Sequence, residues 1–303
     1  MANVTGTSAA PFIPTIWANE ALEILRPNYV MAPLVTRDSD LATFEVGNIL
    51  SIPYPGVLAA NAKVANTPVT KQVPTSTSTT VTLNRHFEAT ILVEDFAKAQ
   101  ALPYLMKSYI GAQVAAIATQ VETDIIALYS GFSGSLGTAG TDLSAATLRA
   151  VNKKFTDNLV PRQNRHMLIS TKDTAALLAD STLSNYFAYN SSSRGDISNG
   201  LVSQDIFGLQ LHESQLVPTT GSAPIATHDL AFDPGAIILA SRALPQAPTG
   251  EGTAQATVTD PNSGLVLRVT MSYNNDNLGT QVTIDTLYGV SILRDAKGFQ
   301  VLT

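Results

Sequence analysis

Between Thr43 and Val93 the sequence alternates like a β-ribbon but carries nothing with which to fill a core of its own. Strand character over Thr43–Ile52 rests on Phe44, Val46 and Ile49, bounded by Gly47 and Pro53. A second strand runs from about Thr77 to Val93. Thr79, Val81 and Leu83 share one face and Thr80, Thr82 and Asn84 the other; past Arg85, Phe87, Ala89, Ile91 and Val93 alternate with His86, Glu88, Thr90 and Leu92. The intervening stretch Pro53–Ser76 is rich in Pro, Ala, Thr and Val, and its only charges are Lys63 and Lys71. A compact domain rarely holds a structureless loop longer than about 12–15 residues unless the loop has a job. An isolated two-stranded ribbon is marginally stable at best. Residues 43–93 therefore read as a long β-hairpin arm that projects from the body and gains stability by lying on another subunit.

The strongest helical signal follows. Leu102, Leu105, Met106, Tyr109, Ile110, Val114, Ile117, Val121, Ile125 and Leu128 form one apolar stripe at helical spacing. Pro103 suits a first turn, and the Gly-rich segment 131–140 stops the helix. At about 1.5 Å per residue, 103–129 would span roughly 40 Å. Ahead of the arm, Trp17, Ala21, Ile24 and Leu25 mark a short amphipathic helix ended by Pro27, and Met1–Ala10 reads as a loose polar arm. After the long helix the pattern mixes. Helices are expected over Ser144–Asn158, capped by Asp142 or Ser144, and over Thr171–Ala179. Strands are expected at 166–170, 206–217, 228–232, 265–273, 280–293 and 299–302. Leu183–Gln204 reads mostly as loop, Pro234–Ala243 as an element of either type, and Leu244–Ser263 as a polar Pro/Gly-rich excursion. Helices and strands do not alternate strictly, so the class is α+β.

Composition points the same way as the arm. The 303 residues suffice for one large domain or two small ones. With no cysteine, disulfides, thiolate metal sites and thiol nucleophiles are excluded. Charged residues make up 14%, against roughly 25% in ordinary soluble domains. A surface so neutral suits a chain largely covered by neighbours. The net charge of −6 does not suit nucleic-acid binding over the whole surface. No stretch approaches the ~18 apolar residues of a membrane span, and the N-terminus has neither the positive charge nor the apolar run of a secretory signal.

A search for chemistry returns little. There is no phosphate-binding Gly-Lys loop. Gly131, Gly134, Gly137 and Gly140 follow a helix rather than a strand and read as a linker. No two of His86, His166, His212 and His228 have zinc-helix spacing, so structural roles are expected. Gly131-Phe132-Ser133-Gly134-Ser135 misses the serine-nucleophile elbow by one position. Asp38-Ser39-Asp40 and Asn274–Asn277 read as turns, and Arg194-Gly195-Asp196 as loop. The one basic cluster, Arg149, Lys153, Lys154, Arg162 and Arg165, has no aromatic platform and reads as a solvated or intersubunit face. No catalytic, cofactor or metal residues are assigned.

The order of these elements resembles the major capsid (coat) proteins of tailed bacteriophages, with the fold named after phage Hong-Kong-ninety-seven. Ile13–Trp17 followed by Glu20–Leu25 is similar to the N-arm helix of that family. Gly47–Pro53 is similar to the entry strand of its extended loop, and Thr80–Asp95 to the return strand. Ala101–Gly131 fits its spine helix. Ile206–Pro218 and Ala231–Ala236 look like the axial-domain pattern, and Tyr288–Leu293 looks like its final strand. The resemblance covers nearly the whole chain and is carried by order and spacing more than by any one motif.

The resemblance implies an α+β tailed-phage major capsid protein fold with N-arm, extended β-hairpin loop, long spine helix, and peripheral and axial domains. Residues 1–42 would be the N-arm and 43–93 the extended loop. The peripheral domain would comprise 94–160 and 244–280, the axial domain 161–243 and 281–303. It further implies self-assembly through pentamers and hexamers into an icosahedral shell around double-stranded DNA. A scaffolding protein and a portal are expected partners, DNA contact is expected to be weak and non-specific, no membrane is involved, and assembly takes place in the host cytoplasm. The short loose N-terminus implies a separate scaffold or a trimmed product. Assembly contacts are expected at Trp17 on the N-arm and at Val57, Leu58, Lys63, Val64, Lys71 and Arg85 on the hairpin. A Lys63 or Lys71 crosslink to an Asn is not expected. Two other readings stay open: a tail-tube or decoration protein, which would be poorer in helix, and a soluble hydrolase with a nucleophile near Ser170.

Overall fold

The computed structural model describes residues 21, 30–38, 49–56, 58–95, 105–181, 183, 205–246 and 254–303. Apart from Ala21, the N-arm helix with Trp17 lies outside them, as do Val57, the strand residues Phe44 and Val46, Pro103, the Arg194–Asp196 tripeptide and most of Leu183–Gln204.

Two sheets stand side by side, each with its own helices. The first contains β1 (Thr36–Asp38), β4 (Arg85–Glu94), β11 (Ile237–Arg242), β12 (Ala254–Thr259), β13 (Val266–Asn274) and β14 (Gly279–Ile292). Its spine is β14, which pairs antiparallel with β4 over Gly279–Tyr288, with β13 over Gly279–Asp285 and with β11 over Leu287–Ile292. Because β4 overlaps both other partners, β13 and β11 lie end to end along the opposite edge of β14. Ser241 Oγ, accepting from the Val266 N–H at 3.0 Å, joins them. One face of this sheet packs on helix α1 (Leu105–Ile126), which continues as a 3₁₀ turn to Gly131. Ile110, Val114, Ile117, Ala118, Val121, Ile125 and Ile126 are buried there against Val269, Val282 and Ile284. From Ile110 to Ile125 the stripe read from the sequence is thus the core stripe, with Leu128 half-buried and Tyr109 exposed; Leu102 and the side chains of Leu105 and Met106 lie outside the described residues.

The second sheet contains β5 (Ser135–Gly137), β6 (His166–Ile169), β7 (Asp205–Ile206), β8 (Leu209–Glu213), β9 (Thr219–Thr220), β10 (Ala226–Phe232) and β15 (Gly298–Leu302). Alternation along β6 and β10 divides its faces. Leu168, Leu230 and Phe232 point into the first core. Met167, Ile169 and Ala231 point into the second, where α2 (Ala145–Asp157) buries Leu148, Val151 and Phe155. Ser144 caps α2 by accepting from the Thr147 N–H. Ser170 caps α3 (Thr171–Ala179), accepting from the Asp173 N–H at 3.1 Å and donating to its carboxylate at 2.6 Å.

Four sequence expectations are corrected. The segment 43–93 is not an arm throughout: the chain breaks at Leu83-Asn84, β3 (Ser76–Thr82) stays in the arm, and β4 joins the body sheet over all ten residues. Ladder hydrogen bonding and the burial of its apolar face on α1 hold it there. Residues 94–160 do not form one unit, because α2 belongs to the second core. Likewise β11 and most of β14, grouped with the axial segments, belong to the first sheet. The excursion 244–263 contains an edge strand, β12, paired with β13 over six residues.

Candidate assembly site

The arm proper is the ribbon of β2 (Ile49–Pro55) and β3, paired in register from Ile49↔Thr82 to Pro55↔Ser76. Its base is anchored. Val81 and Leu83 are buried in a small cluster with Ile238 and Ala240, flanked by Leu50, Ile52 and Leu293. Thr79 Oγ1 donates to the Leu293 carbonyl at 3.3 Å, and the Arg294 guanidinium lies 5.6 Å over the Tyr54 ring. Gly289 is required at this crossing, since a Cβ there would stand 2.3 Å from the Thr82 carbonyl oxygen and 2.9 Å from its carbon. Both are backbone atoms and cannot step aside.

Beyond Pro55 the arm is covered by nothing among the described residues, yet it is shaped. The Gly56 N–H donates to Thr75 O at 2.7 Å and closes the loop. The Gln72 side chain acts as a partner strand, accepting from the Ala59 N–H at 3.0 Å and donating to its carbonyl at 2.6 Å. Thr67 Oγ1 donates to Val64 O at 2.8 Å, and Asn66 takes the left-handed conformation with φ 66°. On this frame Val64, Val69 and Val73 are 63%, 65% and 90% exposed, and Leu58 is exposed too. Lys63 and Lys71 extend into solvent, Lys63 donating to Val64 O at 2.6 Å. A cavity of about 240 Å³ at the tip is lined by Asn61, Lys63, Thr67, Thr70 and Gln72 among others.

Of the residues expected at the interface, Leu58, Lys63, Val64 and Lys71 share this exposed tip. Arg85 does not. It pairs with Asp124 of α1, which also accepts from the Tyr288 hydroxyl at 2.6 Å. Burial, and then the bond to Asp124, push the Tyr288 phenol far above its usual range, so it remains a donor. Arg85 thus fastens the root of the arm to its own helix.

Three buried polar residues on α1, which an apolar stripe does not reveal, tie the first body together. Besides Asp124, Gln113 donates to Ala89 O and Val282 O at 2.9 and 3.0 Å. Glu122, 2% exposed, accepts from the N–H groups of Met31 at 2.8 Å and Ala32 at 3.3 Å, while its Oε2 has no partner. Burial pushes its carboxyl up to about 7 against the lowering effect of the Ala32, Met31 and Val30 N–H groups. In the second body His166 Nδ1 lies 3.2 Å from His212 Nε2, a contact that needs one donor and one acceptor. Burial, then the neighbouring His212, lower His166 to about 4. Burial, then the Asp173 charge, hold Asp229 well above the carboxylate range.

These groups hold structure in place. Ser170 spends its hydroxyl on the α3 cap, and Ser133 bonds Asp295 through both its N–H and its hydroxyl. Among the described residues no group of three His, Cys, Asp or Glu is placed to hold a metal ion, and no helix is long and apolar enough to cross a membrane.

No protein-family model matches the sequence, and no curated protein does. Solved structures do match. One from Mycobacterium phage Che8 superposes with a TM-score of 0.66 at 18% identity, covering 90% of each chain. The capsid of cyanophage P-SCSP1u gives 0.65 at 13% identity, over 90% of this chain and 87% of that one. The head of Helicobacter pylori bacteriophage KHP40 gives 0.62 at 13% identity, over 90% and 88%. The superpositions run along about 90% of this chain, so it has the α+β fold of phage capsid proteins.

Proposed function

We propose that this chain is the major capsid protein of a tailed bacteriophage, assembling through pentamers and hexamers into the icosahedral shell that encloses double-stranded DNA. The observation that carries the reading is the arm. It presents a shaped, apolar tip to solvent on a fold shared along about 90% of the chain with phage capsids. Burying that tip on a sister copy, repeated over every subunit, would supply many modest apolar contacts. The role is structural, with no catalytic step. The second body would stand at the capsomer centre and the first would meet neighbouring capsomers. The acidic chain would hold packaged DNA only weakly, which favours filling and release. A scaffolding protein and a portal would complete assembly in the host cytoplasm, and the product would be a virion component. Expression of the full chain, alone and with its scaffold, followed by sedimentation and electron microscopy, tests this. Closed shells or capsomers are expected; a stable compact monomer under all conditions would refute it.

A further inference from the structure

The second body encloses two aspartates. Asp173 stands in the first turn of α3 and Asp229 at the middle of β10, on the strand face that Ala231 turns toward the second core; both are fully buried. Their partners differ. Asp173 Oδ2 accepts from the Ser170 hydroxyl at 2.6 Å and from the Thr303 hydroxyl at 2.9 Å, and its Oδ1 accepts from the Leu143 N–H at 3.4 Å. Asp229 Oδ1 accepts from the Ser170 N–H at 3.0 Å, and no donor reaches Oδ2. The remaining partner of Asp229 is the Asp173 carboxyl itself, with which it is in hydrogen-bond contact.

Two carboxylates cannot bond each other. Each offers only acceptors, and like charges sharing a buried site repel. One proton between them removes both difficulties. Asp173, with three donors, is built to stay ionised; Asp229, with one oxygen free of donors, is built to keep the proton. Burial, then the Asp173 charge, favour the neutral form of Asp229 in the same direction. Few charges surround the pair among the described residues. On α3, Lys172 acts on Asp229, and Asp142 stands 3.8 Å from the Lys172 ammonium. Asp180, just past α3, accepts from the Ala145 N–H at the start of α2. On this side β6 and β15 present Met167, Ile169, Phe299 and Val301.

We propose that Asp173 and Asp229 form a proton lock, in which Asp229 keeps its proton at neutral pH and donates it from Oδ2 to the Asp173 carboxylate. The pair ties together four pieces of the second body: the lead-in to α2 at Leu143, the α3 cap at Ser170, β10, and Thr303 after β15. An unfolded Asp releases its proton at about pH 3.9, and the folded Asp229 well above that. The stability supplied by the proton is therefore full below about pH 3.9 and is lost as pH rises. Alkali draws the proton off, leaves two buried charges in contact and loosens the knot. The lock belongs to the folded chain itself, so it goes beyond the shell reading and stands or falls without it.

The test compares Asp229→Asn with Asp173→Asn in the full chain by urea unfolding. Asparagine at 229 is neutral at every pH and keeps a donor for Asp173. Between about pH 6 and pH 8 the folding equilibrium constant of the wild type should fall relative to that variant by up to about tenfold per pH unit, the slope of one proton. Asp173→Asn sets an amide where three donors need acceptors, and should lower the urea midpoint at every pH. Infrared spectra of wild type with isotope-labelled aspartate carboxyls, which separate Asp from Glu, should show the carbonyl stretch of a neutral acid near pH 7, and Asp229→Asn should lose it. Parallel stability curves for wild type and Asp229→Asn, or equal damage from the two substitutions, overturn the lock. Should Asp229→Asn fail to fold, the labelled wild type decides alone: no neutral-acid band near pH 7 overturns the lock, and a band that disappears as pH rises sustains it.

Discussion

The body and the arm of this chain use the same apolar residue types in opposite ways. In the body Val114, Val121, Val269 and Val282 are fully buried; on the arm Val64, Val69 and Val73 stand in solvent. Body valines fill the core, whereas arm valines add nothing to it; on the proposed shell reading they contribute when a second surface arrives. A substitution should therefore act on stability or on assembly according to where it falls, and only residues at the arm root should act on both.

The largest expected separation comes from Val64→Asp with Val69→Asp. Both sites are exposed, so melting should stay within about 0.5 kcal/mol of wild type, as for most surface changes. A charge buried unpaired at each arm contact should abolish shells. Normal assembly of this variant would break the comparison. Gly289→Ala sits at the root and should affect both readouts. Its Cβ would press on the Thr82 backbone, costing about 1–3 kcal/mol by overpacking and slowing assembly by tilting the ribbon. Urea unfolding and sedimentation of the same sample check the two halves.

Glu122→Gln should touch the body alone and only at higher pH. The carboxyl is pushed up to about 7 from 4.5, so the folded chain binds the extra proton between those values. Stability from that proton is full below about pH 4.5 and is lost as pH rises through about 7. Glutamine mimics the protonated acid. The variant should match wild type near pH 5 and exceed it near pH 8 by up to ~3 kcal/mol, measured by urea unfolding at both values. Equal stability at both pH values would show that Glu122 is solvated.

The smallest effect belongs to the second body, with the opposite sign. His166, lowered to about 4 from 6.5, leaves the folded chain short of a proton between those values, so stability falls as pH drops through that window. His212→Gln removes a neighbouring positive charge and should flatten the acid loss by about 1 kcal/mol or less, seen as a smaller drop in Tm between pH 7 and pH 4.5.

What the sequence disclosed follows from how local each signal is. The α1 stripe and the Ser144 cap depend on residues a few positions apart, and both stand in the structure. The exposed tip was readable because Pro53–Ser76 lacks the apolar mass for a core. The division of the return strand was not. Alternation runs unbroken across Leu83-Asn84, and only the ten-pair ladder to β14, nearly 200 residues away, draws β4 into the body. β12, with the sequence Ala-Gln-Ala-Thr-Val-Thr, is too polar to announce an edge strand. The roles of Gln113, Glu122 and Asp124 rest on partners far along the chain. Arg85 looked like an arm contact because its strand looked like arm.

The β4–β14 ladder also has a mechanical meaning. The arm continues into β4 at Asn84, and β4 lies antiparallel against ten consecutive positions of β14. A pull along the ribbon thus acts parallel to the strands and across their hydrogen bonds, which run perpendicular to them. Such a joint slides as a unit and shares tension among all its rungs, where a hinge would open one rung at a time. A wall built of these molecules would carry internal pressure through seams that grip harder in tension than in peeling.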